Sequence, residues 1–161
     1  FDTLVWDTLR RFDPTRPVFV ESESRKVGNV AVPVTLMDAM RTRGTCLNLS
    51  LNDGERVALL MEDYDYFVRN TDAFCSRLDA LTEIRGKAVV QGWKTSVQTG
   101  DLHTVVLQLL TLHYDPVYRQ SMQRNFSHFT QACTLNPANR SDTAMDAVAA
   151  ELVGSSDSER G

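Results

Sequence analysis

Within the first 52 residues only two stretches carry the pattern of β-strands, and they limit what the chain can fold into. Pro17-Val18-Phe19-Val20 is a short unbroken apolar run of β-branched and aromatic type, the pattern of a strand buried on both faces of a parallel sheet. Thr45-Cys46-Leu47-Asn48-Leu49-Ser50-Leu51 alternates as a second strand. Helical patterns precede each of them. Phe1, Leu4, Val5, Leu9 and Phe12 fall at helical spacing, and Asp13-Pro14 closes that helix because the residue before proline avoids the helical region. Residues 33–40 read as another helix, with proline in the first turn and Gly44 as the stop. A parallel pair needs neighbouring strands and helices over both faces, so two strands are too few for a self-sufficient sheet. The missing strands are expected upstream. The chain, which enters a helical pattern directly at Phe1, is expected to be part of a longer one.

From the Asn52-Asp53-Gly54 turn onward the pattern is helical throughout. Val57, Leu60, Met61, Tyr64 and Phe67 mark one long helix, and Phe74, Leu78 and Leu81 continue with a second face. Gly86 and Gly100 break the run, and Asp101 is placed to cap a helix carrying Leu102, Val105, Val106, Leu109 and Leu110. Asn136-Pro137-Ala138-Asn139 reads as a loop before a last amphipathic helix through Met145, Val148, Ala149 and Leu152. The expected organisation is an α/β segment over residues 1–52 and a helical region of the same domain over 53–122. A C-terminal helical extension over 123–153 and a disordered polar tail over 154–161 complete it.

Composition excludes several function classes. An apolar fraction of 42% supports a packed core, and no apolar run is long enough to span a bilayer. Cys46, Cys75 and Cys133 are far apart, with no Cys-x-x-Cys pair and no histidine at metal-ligand spacing. Buried or inert thiols in a reducing, cytoplasmic setting are expected. The net charge of −4 argues against a globally basic nucleic-acid module, but 14 of the 17 cations are arginine, whose planar fork suits phosphate.

Three constellations can carry chemistry. In the first, the strand of residues 18–20 ends in Glu21, and Ser22, Glu23, Ser24, Arg25, Lys26, Val27 and Gly28 follow. An acid at the carboxyl end of a parallel strand is the pattern of a Walker B element, where it holds Mg2+ directly or through water; a solvated loop is the alternative. In the second, Arg56 stands in the first turn of a helix, where a cation opposes the helix dipole unless an anion is bound there. Glu55 offers it a simpler local partner. The third is Leu112-His113-Tyr114-Asp115-Pro116-Val117-Tyr118, expected to end the helix begun at Asp101. There a helix C-terminus favours the charged form of His113, and Asp115 before proline makes a turn.

Three segments, residues 19–28, Arg56-Val57-Ala58-Leu59-Leu60-Met61-Glu62-Asp63-Tyr64 and Leu112-His113-Tyr114-Asp115-Pro116-Val117-Tyr118, occur in an order that resembles the C-terminal region of tRNA 2-selenouridine synthases. The likeness spans roughly residues 1–122. The resemblance implies an α/β fold, part of a P-loop nucleotide-kinase-like parallel sheet followed by a mainly helical C-terminal region. It implies a transferase that converts 2-thiouridine at the tRNA wobble position to 2-selenouridine with selenophosphate, and that S-geranylates the same base from geranyl diphosphate. An upstream P-loop segment and a rhodanese-like domain with a catalytic cysteine complete such an enzyme. Neither occurs in these residues, so the 161 residues alone are expected to be inactive.

Under that likeness Glu21 and Glu23 hold Mg2+, and Ser22, Ser24, Arg25, Lys26, Gly28 and Arg56 meet phosphate or tRNA backbone. His113, Tyr114, Asp115 and Tyr118 position the substrate base. Whether ATP also binds is open. Two other classes fit the same residues: a generic P-loop ATPase or phosphotransferase domain, and a non-catalytic helical interaction module.

Overall fold

In the computed structural model the backbone of residues 1–22 and 25–158 is described, with side chains as far as residue 154. Helix α1, Asp2–Leu9, forms where the apolar spacing predicts, but it buries nothing: Phe1, Leu4 and Trp6 all stay more than half exposed. The Arg10 guanidinium covers one face of the Trp6 ring at 5.3 Å.

The strand expected at residues 18–20 does not form. Val18, Phe19 and Val20 are each about half exposed and in no regular element, because no described segment lies alongside to accept and donate their backbone hydrogen bonds. The chain pairs a few residues later. Strands β1, Lys26–Val27, and β2, Val30–Ala31, form a minimal antiparallel hairpin in the register Lys26↔Ala31 and Val27↔Val30. Gly28 takes φ +59° at the first position of its two-residue turn, where a side chain would be strained.

Helix α2, Val34–Arg43, starts at Pro33 and stops at Gly44 as expected, burying Met37. Strand β3, Leu47–Leu49, also forms, but its neighbour is not upstream. It pairs in parallel with β4, Cys133–Leu135, in the register Leu47↔Cys133, Asn48↔Thr134 and Leu49↔Leu135. The Ser50 N–H extends the ladder to the Leu135 carbonyl at 2.9 Å. Residues 123–153 are therefore not wholly helical. A strand of three residues is too short for alternation to register in sequence.

Between these strands lies the helical body. Asn52 Oδ1 accepts from the Glu55 N–H at 3.0 Å and starts α3, Asp53–Asp63. What reads as one long helix breaks at Tyr64 and Asn70 into α3, α4 (Asp65–Arg69) and α5 (Thr71–Asp79), the last capped by the Asn70 side chain. Helix α6, Thr82–Arg85, ends at Gly86, whose φ of +85° turns the chain into α7, Lys87–Gln98. Asp101 caps α8, Leu102–Gln108, as predicted. Leu78, Val90, Trp93, Val97 and Val105, none more than 2% exposed, form the centre of the core between α5, α7 and α8.

Helix α8 does not stop at Asp115-Pro116. It widens into a π-helical segment, Leu109–Tyr114, and runs directly into α9, Asp115–Asn125, with proline in its first turn. The hydrogen-bond register changes at this junction, so the N–H that proline lacks is not missed there. A 3-10 turn, Phe129–Gln131, leads to β4, and α10, Asp142–Ser158, follows the expected loop. Since α10 continues to Ser158, the expected disordered tail is helical over its first five residues. Arg140 ties the start of α10 to α3, donating to Glu62 Oε2 at 2.5 Å and lying 3.5 Å from Glu55 Oε2. The protein is thus mainly helical with a small two-stranded parallel sheet, and among the described residues no helix is long and apolar enough to cross a membrane.

Candidate functional site

A polar cleft of 530 Å3 lies against the parallel strand pair. Asn48 and Thr134 stand opposite each other in the register, so their side chains share one face of the sheet, and both line the cleft. Ser50 and Leu51 continue from β3 along the same wall toward α3, which contributes Arg56. Helix α9 forms the facing wall. Asp115, Arg119 and Gln123 recur every four residues and Tyr118 stands beside them, so one helical face lines the cleft, whereas Met122 is buried. Phe129 and Thr130 close the remaining side.

Arg56 and Asp115 meet at the edge of this cleft in a two-pronged ion pair. Nη1 donates to Asp115 Oδ2 at 3.0 Å and Nη2 to Asp115 Oδ1 at 2.5 Å. Nη1 also reaches Asp53 Oδ1 at 3.2 Å. The hydrogen bond to Asp115 is the main influence raising the Arg56 pKa above its ordinary value, against a smaller lowering from burial. The local partner expected for Arg56 is corrected: Glu55 turns to Arg140 instead, and Asp53 takes its place. Asp115 is likewise an arginine clamp, not a turn residue. Arg119 escaped the sequence reading altogether, although its four-residue spacing from Asp115 on a helix could have marked it.

His113 and Tyr114 lie apart from the cleft. Arg85 donates to His113 Nδ1 from Nε at 3.2 Å and from Nη2 at 3.1 Å. A guanidinium can only donate, so Nδ1 accepts and the neutral ring carries its proton on Nε2. Burial, followed by the adjacent Arg85 charge, lowers the His113 pKa below 6.5. The charged form expected from the helix terminus is therefore disfavoured: the helix does not end here, and the nearest charge is positive. Tyr114 sets its ring edge against His113 at 5.0 Å and is 58% exposed.

A folded-state pKa below the unfolded value means that His113 contributes stability above pH 6.5 that is lost as the pH falls through 6.5 toward the depressed pKa. We expect the His113 ring resonance to titrate below 6.5 in an NMR experiment, and Arg85→Ala to move the midpoint upward. A wild-type midpoint above 6.5 would contradict the pairing.

Of the Glu21 run, Glu21, Ser22, Arg25, Lys26 and Gly28 do not line the cleft. Glu21, Arg25 and Lys26 are exposed, Ser22 is half-buried, Gly28 serves the hairpin turn, and Glu23 and Ser24 lie outside the described residues. Among the described residues no group of three or more histidine, cysteine or acidic side chains could hold a metal ion. Cys75 is buried, Cys46 half-buried and Cys133 exposed on β4, each as a free thiol. No family model matches the chain, and neither does any curated protein or solved structure.

Proposed function

We propose that the chain belongs to a cytoplasmic tRNA-modifying transferase, as the later part of its P-loop-type domain, and that the polar cleft contacts the tRNA substrate. The reaction exchanges the sulfur of wobble 2-thiouridine for selenium from selenophosphate, with S-geranylation from geranyl diphosphate as a linked activity. One observation carries this proposal. Arg56 and Asp115 belong to two of the three segments that resemble the synthases, lie 59 positions apart, and are joined at one cleft beside a parallel strand pair. Open α/β sheets bind their ligands beside the carboxyl ends of parallel strands.

Further support comes from what the sheet leaves uncovered. Leu47 and Leu49 of β3 are 39% and 55% exposed, and the apolar run of residues 18–20 is about half exposed. Parallel strands are ordinarily covered on both faces, which agrees with a P-loop segment and a rhodanese-like domain as partners elsewhere in the same protein. Selenophosphate and geranyl diphosphate both release phosphate anions when their group is transferred, and preorganised arginines stabilise such leaving groups. Glu21 lines no part of the cleft, so no step is derived through Mg2+.

The test is a nucleoside analysis by mass spectrometry after incubating the full-length enzyme with thiolated tRNA. Selenophosphate is expected to yield 2-selenouridine, and geranyl diphosphate the S-geranyl base. An enzyme that hydrolyses ATP and leaves the thiolated base unchanged with both donors would overturn the proposal in favour of a phosphotransferase.

A further inference from the structure

We infer that the cleft beside β3 and β4 takes one unstacked nucleotide of a single-stranded RNA, with Arg119 meeting its phosphate, Tyr118 stacking on its base, and Arg56 serving to position rather than to bind. The inference rests on the tRNA reading above and names the part of the substrate that the cleft holds.

The charges of the cleft are divided unequally. Arg56 spends both terminal nitrogens on Asp115 and Asp53, so its charge is compensated before any ligand arrives. Arg119 is exposed, and its side chain makes no hydrogen bond or ion pair among the described residues. Asp115, four residues before it on the same helix face, would be its natural partner, since oppositely charged side chains at that spacing attract. The fork to Arg56 holds Asp115 away from that role. Among the described residues lining the cleft there is no acid besides Asp115, and Asp115 is taken by Arg56, so Arg119 faces the cleft with no acid paired to it.

The remaining lining suits a nucleotide. Asn48, Ser50, Thr130, Thr134 and Gln123 are neutral hydrogen-bonding side chains, able to donate to phosphate or to base edges. Tyr118, the residue before Arg119, is 47% exposed and lines the cleft, and a tyrosine ring is a side chain on which a splayed base can stack. At 530 Å3 the cleft falls in the small-ligand range of about 300–1,000 Å3, enough for a single nucleotide but not for a duplex.

The experiment is fluorescence anisotropy of a 5′-labelled single-stranded pentaribonucleotide with the complete protein chain, at two salt concentrations, beside thermal melts of each variant. Arg119→Ala is expected to weaken binding about 10- to 100-fold with an unchanged melt and to lower the salt dependence by about one ion. Arg119→Lys is expected to fall between the two, and Tyr118→Ala to weaken binding about 5- to 100-fold while Tyr118→Phe retains it. Binding by Arg119→Ala within twofold of wild type would overturn the inference. So would equal competition by duplex RNA, or displacement by inorganic diphosphate that is indifferent to Tyr118, which would mark a small-phosphate site. Because the probe carries no thiolated base, normal pentamer binding beside absent selenation would count against the proposed reaction and leave the nucleotide cleft standing.

Discussion

Trp93→Ala is expected to lower the free energy of unfolding by about 3–5 kcal/mol, the usual range for removing a buried tryptophan. Trp93 is 2% exposed and packs in the cluster where α5, α7 and α8 meet, beside Leu78, Val90, Val97 and Val105. Its removal opens a cavity on several sides at once, and three short helices give little freedom to collapse into it without disturbing one another. The indole also donates from Nε1 to Gln108 Oε1 at 2.7 Å, which fixes the end of α8 against α7 just before the π-helical segment.

Two comparisons separate the contributions. Trp93→Phe keeps most of the volume and loses the donor, and since Gln108 is only half-buried and water can reach its oxygen, about 1–2 kcal/mol is expected. Trp6→Ala should cost no more than about 1 kcal/mol, because Trp6 is 64% exposed and its ring is covered on one face by the Arg10 guanidinium in an exposed cation–π contact. Urea titrations read all three, provided that the slope of each transition stays near that of the wild type. A Trp93→Ala midpoint close to wild type would mean that the cluster is not the cooperative core.

Several strictly local signals are met in the structure. Pro33 before α2, Gly86 and Gly100 between helices, and Asp101 at the start of α8 each act within a turn of the chain, and each does what its chemistry predicts. The strand expectations failed for non-local reasons. Val18-Phe19-Val20 has the composition of a strand, but a strand exists only where a partner supplies the other half of its hydrogen bonds. Leu47–Leu49 found such a partner in Cys133–Leu135, more than eighty residues away and too short to announce itself.

The candidate site shows the same division. Arg56 was legible as a cation in need of an anion, and Asp115 as a residue with a structural task, yet nothing local says that each answers the other across 59 positions. His113 was misjudged because its charge preference was read from a helix end, and the π-helical segment carries the helix past that point. Arg119 became meaningful only when Asp115 was seen to be engaged elsewhere.

The pairing of Arg56 with Asp115 has consequences of opposite sign for stability and for binding. Their side chains are 28% and 26% exposed, between the surface regime, where ion pairs contribute about 0–1 kcal/mol, and full burial, where a stranded partner costs about 3–5 kcal/mol. Arg56→Ala and Asp115→Ala are each expected to cost about 2 kcal/mol, and the double variant to cost less than their sum by about 1 kcal/mol. In a chain of this length that corresponds to a fall of roughly 4–8 °C in melting temperature for each single variant. Ligand binding should separate the two. Removing Arg56 releases Asp115 toward Arg119, one helical turn away, so pentamer binding should weaken although Arg56 touches no ligand. Removing Asp115 leaves both arginines facing the cleft, where the added positive charge should keep binding at or above the wild-type level and steepen its salt dependence. Anisotropy measured well below both melting temperatures decides the matter. Equal loss in the two variants would reduce the fork to a brace between α3 and α9, with no part in setting the charge of the cleft.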